Sequence, residues 1–181
     1  MIALIIFLLC VFVALGVGVL SSLSDINGLK IPNIYSLIIL GAFIACFASL
    51  AMLGKVDIFA PILSHIIAGF IMLVVTAVLF FTKMIGAADS KLATVYMIWI
   101  GLSGLPTFLF TMTFVGGFLG LLALYFQKAT PFDSPKAGSW IAQVQAGESK
   151  VPYGIAIAAG AFAGFVKVGF LNPESFVSFI Q

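Results

Sequence analysis

Two aspartates, Asp25 and Asp89, are the residues of this chain whose type and surroundings favour chemistry. Each lies in a short polar stretch between long apolar runs: Asp25 in the segment 24–33 and Asp89 in the segment 86–91. Two carboxylates brought close together share one proton, because like charges at short range cannot both ionise. One carboxylate then acts as a general base on a water molecule and the other as a general acid. Such a pair hydrolyses an amide without help, so we expect neither a metal nor a cofactor.

Each aspartate also has a simpler interpretation when it is taken alone. Asp25 would be a solvated acid at a helix end, with Lys30 as its ion-pair partner or as an anchor to the cytoplasmic side. Asp89 would be the N-cap of the following helix. The residues before it, Gly86 to Ala88, are small and allow backbones to approach closely. An acid at the bilayer centre costs about 2.5–3.5 kcal/mol, and less near a helix end. The presence of Asp89 therefore suggests a functional role.

The composition indicates an integral membrane protein. Hydrophobic residues make up 63% of the 181 residues, charged residues make up 8%, and the mean hydropathy is +1.29. In soluble domains, hydrophobic residues make up about 45–50% of the chain and charged residues about 25%. The apolar runs lack the alternation of β-barrel strands. All eight basic residues are lysines and none cluster, which excludes a nucleic-acid interface. Cys10 and Cys46 lie in apolar runs and are interpreted as small buried side chains.

The apolar runs predict an all-α bundle of about six transmembrane helices. The predicted spans are 1–20, 34–53, 58–81 and 152–171, together with two spans from the run 92–126. That run has 35 residues and would make a helix of about 52 Å, too long for a hydrocarbon core of about 30 Å. We therefore expect it to fold back at the glycines and proline of 101–106. The whole chain, 1–181, is expected to form one membrane domain without a separate soluble or methyltransferase domain.

The lysines predict the orientation of this bundle. With six spans, the segments 21–33, 82–91 and 127–151 lie on one side and carry six of the eight lysines. By the positive-inside rule this side is cytoplasmic, so both aspartates face the cytoplasm and both termini lie outside. The segment 127–151 is interpreted as a solvated connection that could contact a substrate. His65, within the third span, is interpreted as an interhelical hydrogen bonder rather than a ligand.

Three motifs, taken in order, resemble the prepilin peptidase (type IV leader peptidase) family of membrane aspartic proteases. The first is Asp25 followed by Ile-Pro-Asn at 31–33, the second is Gly-Ala-Ala-Asp-Ser-Lys at 86–91, and the third is Pro-Tyr-Gly at 152–154. Besides the two aspartates, the motif and substrate-side residues are Lys30, Pro32, Asn33, Gly86, Ala88, Lys91, Pro152, Tyr153 and Gly154.

The resemblance implies a function for each part of this pattern. Asp25 and Asp89 would be the catalytic pair, and the substrate would be a type IV prepilin or pseudopilin whose basic leader is removed at the cytoplasmic face of a bacterial or archaeal inner membrane. The chain resembles the short, peptidase-only form of tight-adherence (Flp) pilus systems, with the pilus assembly machinery as a further candidate partner. Ala88 replaces the second glycine of the family motif, and its methyl group adds bulk beside Asp89.

A non-enzymatic membrane protein is the alternative. In a transporter, or in a pilus or secretion assembly component, the two acids would serve ion coupling or packing. A transporter is expected to place its acids near the midplane and to contain internal repeats, and the sequence has neither feature. The peptidase is therefore the preferred hypothesis.

Overall fold

Every regular element in the described part of the chain is a helix, as predicted. The computed structural model describes residues 1–177 and 179, so residues 178, 180 and 181 of the expected domain lie outside it. The α-helices are α1 (Ile2–Gly28), α2 (Asn33–Met52), α3 (Ile62–Phe81), α4 (Ala87–Ile100), α5 (Leu105–Ala129), α6 (Trp140–Gln145), α7 (Tyr153–Lys167) and α8 (Pro173–Val177). Two short 3-10 helices, Val56–Ile58 and Leu102–Gly104, precede α3 and α5.

The apolar helices make this chain a multi-pass membrane protein. The helices α1, α2, α3 and α5 are long and apolar enough to cross a membrane. The other two apolar helices are shorter, with 14 residues in α4 and 15 in α7. Each packs against three other helices: α4 against α2, α3 and α7, and α7 against α1, α4 and α5. Each short helix therefore packs between longer helices.

The predicted fold-back of the run 92–126 is confirmed. Helix α4 ends at Ile100, and Gly101 follows with a φ of 71°, a backbone conformation that favours glycine. The chain then turns through the 3-10 helix, and Pro106 lies in the first turn of α5, where its missing N–H costs nothing. The Ser64 hydroxyl accepts a hydrogen bond of 3.0 Å from the backbone N–H of Leu102 and so ties this turn to α3.

Helix α1 is longer than the predicted span 1–20, because polar side chains after residue 20 form hydrogen bonds to carbonyls of the same helix. The hydroxyls of Ser21 and Ser22 donate to the carbonyls four residues earlier, at 2.8 and 2.9 Å. The helix ends at Gly28, and the next residue, Leu29, adopts the left-handed conformation and donates its N–H to the Asp25 carbonyl at 2.7 Å. Asp25 therefore lies on the last turns of a helix of about 40 Å and not in a loop.

Buried polar side chains join α4 to its neighbours. The Tyr96 hydroxyl donates to the Ala14 carbonyl at 2.7 Å, and the Trp99 indole donates to the Ile39 carbonyl at 2.9 Å. His65 of α3 lies with Nδ1 2.7 Å from the Ile98 carbonyl, which confirms its interpretation as an interhelical hydrogen bonder. These bonds satisfy groups that would be costly to bury alone, so they fix α4 in one position.

The interpretation of 127–151 as a solvated connection is wrong in its middle. Trp140 and Val144 of α6 are buried against Leu119 and Ala123 of α5. The Trp140 indole also donates to the Lys150 carbonyl at 2.8 Å. This segment is therefore an ordered cap across the ends of α1 and α5, with its own small apolar cluster.

Candidate active site

A cavity of about 1340 Å³ opens at the end of the bundle where α1 ends and α4 and α7 begin. Three stretches of the chain line it: the end of α1, the connection from α3 to α4, and the segment 138–153. Both Asp25 and Asp89 are among its lining residues. The structure thus brings together two acids that are 64 residues apart in the sequence.

Asp25 is held from the far end of the chain. Its side chain is only 5% exposed. Its Oδ2 atom accepts a hydrogen bond of 2.7 Å from the backbone N–H of Gly154, in the first turn of α7. The Gly154 carbonyl in turn lies 3.2 Å from the Ser22 hydroxyl, whose proton is shared between this carbonyl and that of Gly18. The start of α7 is therefore joined to α1 through both the N–H and the carbonyl of Gly154.

Asp89 is held within its own helix. It is the third residue of α4, and its Oδ2 atom accepts a hydrogen bond of 2.8 Å from the backbone N–H of Gly86, which is the N-cap residue. The simpler interpretation of Asp89 as the N-cap is therefore wrong in position, since the carboxylate reaches back from the third residue of the helix. A negative charge at this end is stabilised by the unpaired N–H groups of the first turn.

The environment of Asp89 favours its protonated form. The residue lies in the first turn of α4, before the predicted span that begins at residue 92 and outside the four helices that are long enough to cross the membrane. Burial raises the pKa of Asp89, the negative charge of Asp25 raises it further, and the hydrogen bond from Gly86 opposes both, which leaves the pKa at about 7. Asp25 and Asp89 therefore interact electrostatically, and Asp89 keeps a proton close to neutral pH.

Four further charged side chains line the cavity. Glu148 and Lys150 form an ion pair of 3.3 Å whose side chains are more than half exposed, so the pair contributes at most about 1 kcal/mol. Lys30 and Lys83 also line the cavity. In residues 1–177 and 179, acidic, histidine and cysteine side chains nowhere gather in threes that could hold a metal ion.

Other lining residues are apolar. Phe80, Phe81 and Met84 line the cavity and are 43%, 80% and 58% exposed. Phe80 and Phe81 are the last residues of α3, a helix long enough to cross the membrane. The cavity can therefore accept a peptide that has an apolar part and a polar part.

The first two motifs meet beside the aspartates. The Lys91 ammonium donates a hydrogen bond of 3.1 Å to the Asn33 side-chain oxygen, which links the first turn of α4 to the start of α2. Pro32 is the N-cap residue of α2. A second, smaller cavity has Pro32, Asn33, Ala88 and both aspartates in its lining. The side chain of Ala88 is half-buried and packs against the main core.

The third motif forms the start of α7. Pro152 is its buried N-cap residue, and Tyr153 lines the large cavity. A Cβ atom placed on Gly116 of α5 would lie 3.1 Å from the Tyr153 ring, so the ring packs directly on that glycine. The backbone N–H groups of Gly86 and Gly154, which hold the two carboxylates, could not be assigned from the sequence, because a glycine carries no side-chain chemistry to indicate its partner.

A family model for type IV leader peptidases matches residues 2–121, about two thirds of the chain. The chain belongs to the type IV leader peptidase family. Comparison with curated proteins and with solved structures gave no match. The matched region contains both aspartates and the first two motifs of this leader peptidase, whereas Pro152 to Gly154 lie beyond it. The family identifies the chain as a membrane-embedded protease, and the geometry above gives that protease a candidate active site.

Proposed function

We propose that this leader peptidase is an aspartic endopeptidase in which Asp25 and Asp89 are the catalytic pair. The observation that carries the proposal is their arrangement: two carboxylates in one cavity, each held through a single oxygen by a backbone N–H. A pair that needed only to be solvated would not require burial or a fixed orientation. A pair that must act on one water molecule requires both.

The geometry supports a division of labour between the two acids. Asp89 is the protonated member near neutral pH, because burial and the charge of Asp25 raise its pKa. Asp25 is the ionised member, and the hydrogen bond from Gly154 stabilises that charge. Asp25 removes a proton from the water molecule as the water oxygen bonds to the scissile carbonyl carbon. Asp89 gives its proton to the departing nitrogen as the C–N bond of the tetrahedral oxyanion breaks. The proton gained by Asp25 then passes to Asp89, which restores ionised Asp25 and protonated Asp89.

The proposed substrate is a prepilin or pseudopilin, cut between its basic leader and its apolar segment. The lining of the cavity supports this choice, since it contains both charged side chains and apolar residues from the end of α3. The lysine distribution supports a cytoplasmic position for this end of the bundle. The proposed location is the inner membrane of a bacterial or archaeal cell, with both termini on the other side. We further propose that the enzyme serves an Flp-type pilus system and contacts the pilus assembly machinery.

Co-expression with a candidate prepilin tests this function. We expect the parent chain to convert the prepilin to a shorter band on a gel, with cleavage before the apolar segment. An Asp57→Asn variant is the matched control, because Asp57 is an exposed acid in the 3-10 helix before α3 and does not line the cavity. Full-length prepilin in the presence of folded parent chain would instead support the alternative of a transporter or an assembly component.

A further inference from the structure

The contact between Gly154 and Asp25 joins residues 129 positions apart in the chain. A Cβ atom placed on Gly154 would lie 3.1 Å from Asp25 Oδ2, 3.2 Å from Asp25 Cβ and 3.1 Å from Ile31 Cδ1. The Ile31 methyl group is the end of a flexible side chain and can move. Asp25 Cβ is attached to the backbone of α1 and cannot, so any larger residue at 154 must displace the carboxylate or separate α7 from α1.

The start of α7 cannot readily retreat from such a displacement. The Ser22 hydroxyl donates to the Gly154 carbonyl, and the Tyr153 ring rests on Gly116 of α5. Pro152, immediately before the helix, is buried and has a fixed φ. The amide of Gly154 is therefore a rigid donor, fixed against two neighbouring helices.

A rigid donor on Oδ2 determines the direction in which the other carboxylate oxygen points. In the described residues, no hydrogen bond is made to Oδ1 of Asp25, and the residue lines the cavity that Asp89 shares. We propose that Gly154 is a positioning residue for the peptidase reaction: its backbone N–H locks the Asp25 carboxylate so that one oxygen is held and the other meets the reacting water. This inference rests on the proposed function.

Positioning differs from simple packing in what a variant would lose. If Gly154 only allowed α7 to approach α1, then Gly154→Ala would lower the amount of folded protein, and each folded molecule would retain its kcat. If Gly154 orients Asp25, then kcat falls in molecules that are folded, while KM for a peptide bound along the cavity walls is maintained.

The test uses purified full-length chain in lipid nanodiscs, with a prepilin-derived peptide as substrate. We expect Gly154→Ala to lower kcat by at least about tenfold and to change KM by less than about twofold. Gly160→Ala is the packing control, because its Cβ would lie 3.0 Å from the Phe108 carbonyl of α5 and Gly160 does not line the cavity. Gly117→Ala is the neutral control, since nothing lies within 4 Å of its Cβ position. Both controls should retain the parent kcat per folded molecule.

A second variant keeps the test decisive if Gly154→Ala fails to fold. An ester in place of the peptide bond between Tyr153 and residue 154, introduced with an α-hydroxy acid, removes the N–H and adds no bulk. We expect the same loss of kcat, together with a shift of the Asp25 carboxylate band in isotope-edited infrared spectra, assigned by its absence in Asp25→Asn. Parent kcat and an unshifted band in the ester variant would overturn this inference but not the proposed function. A folded parent chain that cleaves nothing would instead overturn the proposed function, and the positioning role with it.

Discussion

Cleavage by this leader peptidase should depend on a proton held by Asp89, and raising the pH is the perturbation that removes it. Two features of the site raise the pKa of Asp89 to about 7: burial first, and then the negative charge of Asp25. The sign follows from the chemistry, since a carboxyl group with a raised pKa keeps its proton below that value and loses it as the pH rises through it. The protonated acid is therefore present at acidic to neutral pH, and activity there also requires that Asp25 remain ionised as the base.

The size of the effect follows from the same value. With a pKa of about 7, about one tenth of Asp89 remains protonated at pH 8 and about one hundredth at pH 9. The assay is kcat for a prepilin-derived peptide, measured with nanodisc-embedded enzyme from pH 5 to pH 9, with recovery of activity on return to pH 6 as the control for denaturation. We expect kcat to fall about tenfold for each pH unit above neutrality. A kcat that is constant or rises up to pH 9 would refute the assignment of Asp89 as the acid.

Three further predictions concern the surroundings of the pair and its orientation. Lys91→Ala and Asn33→Ala each remove the same exposed hydrogen bond, so we expect each to lower stability by less than about 1 kcal/mol and the double variant to be no worse, as thermal unfolding will show. Ala88→Gly removes a methyl group beside Asp89, so we expect cleavage to be unchanged or faster. The stability cost should be below about 1 kcal/mol. A folded but inactive variant would show that the motif is misplaced. A single cysteine at Ser134, in a chain without its native cysteines, should react with an impermeant reagent only after the cells are opened, and labelling of intact cells would contradict a cytoplasmic site.

The course of the helices could be predicted from the sequence because bilayer thickness limits their length. The run 92–126 is too long for one crossing, and its glycines and proline are at 101–106, where the chain does turn. The end of α1 was misplaced because polarity alone set the boundary at residue 20. The serines that follow bond back to their own helix, which allows it to continue to Gly28.

Long-range contacts made by backbone groups could not be predicted from the sequence. The position of Asp25 and Asp89 at the same end of the bundle could be, because an even number of crossings between them returns the chain to the same side. The bond from Gly154 to Asp25 depends on how α7 packs against α1, which no local pattern encodes. The burial of Trp140 was missed for a similar reason, since α6 has only six residues and its apolar partners belong to α5.

The central claim is that Asp25 and Asp89 act as one catalytic unit. The most direct measurement is kcat for prepilin cleavage by Asp25→Asn, Asp89→Asn and the double variant, each purified in folded form beside the Asp57→Asn control. If both acids serve one water molecule, each single variant should lose essentially all activity, and the double variant should be scarcely worse than either. The isosteric amides should leave folding nearly unchanged. Cleavage at near the parent rate by either single variant, or losses that multiply in the double variant, would contradict a shared catalytic pair.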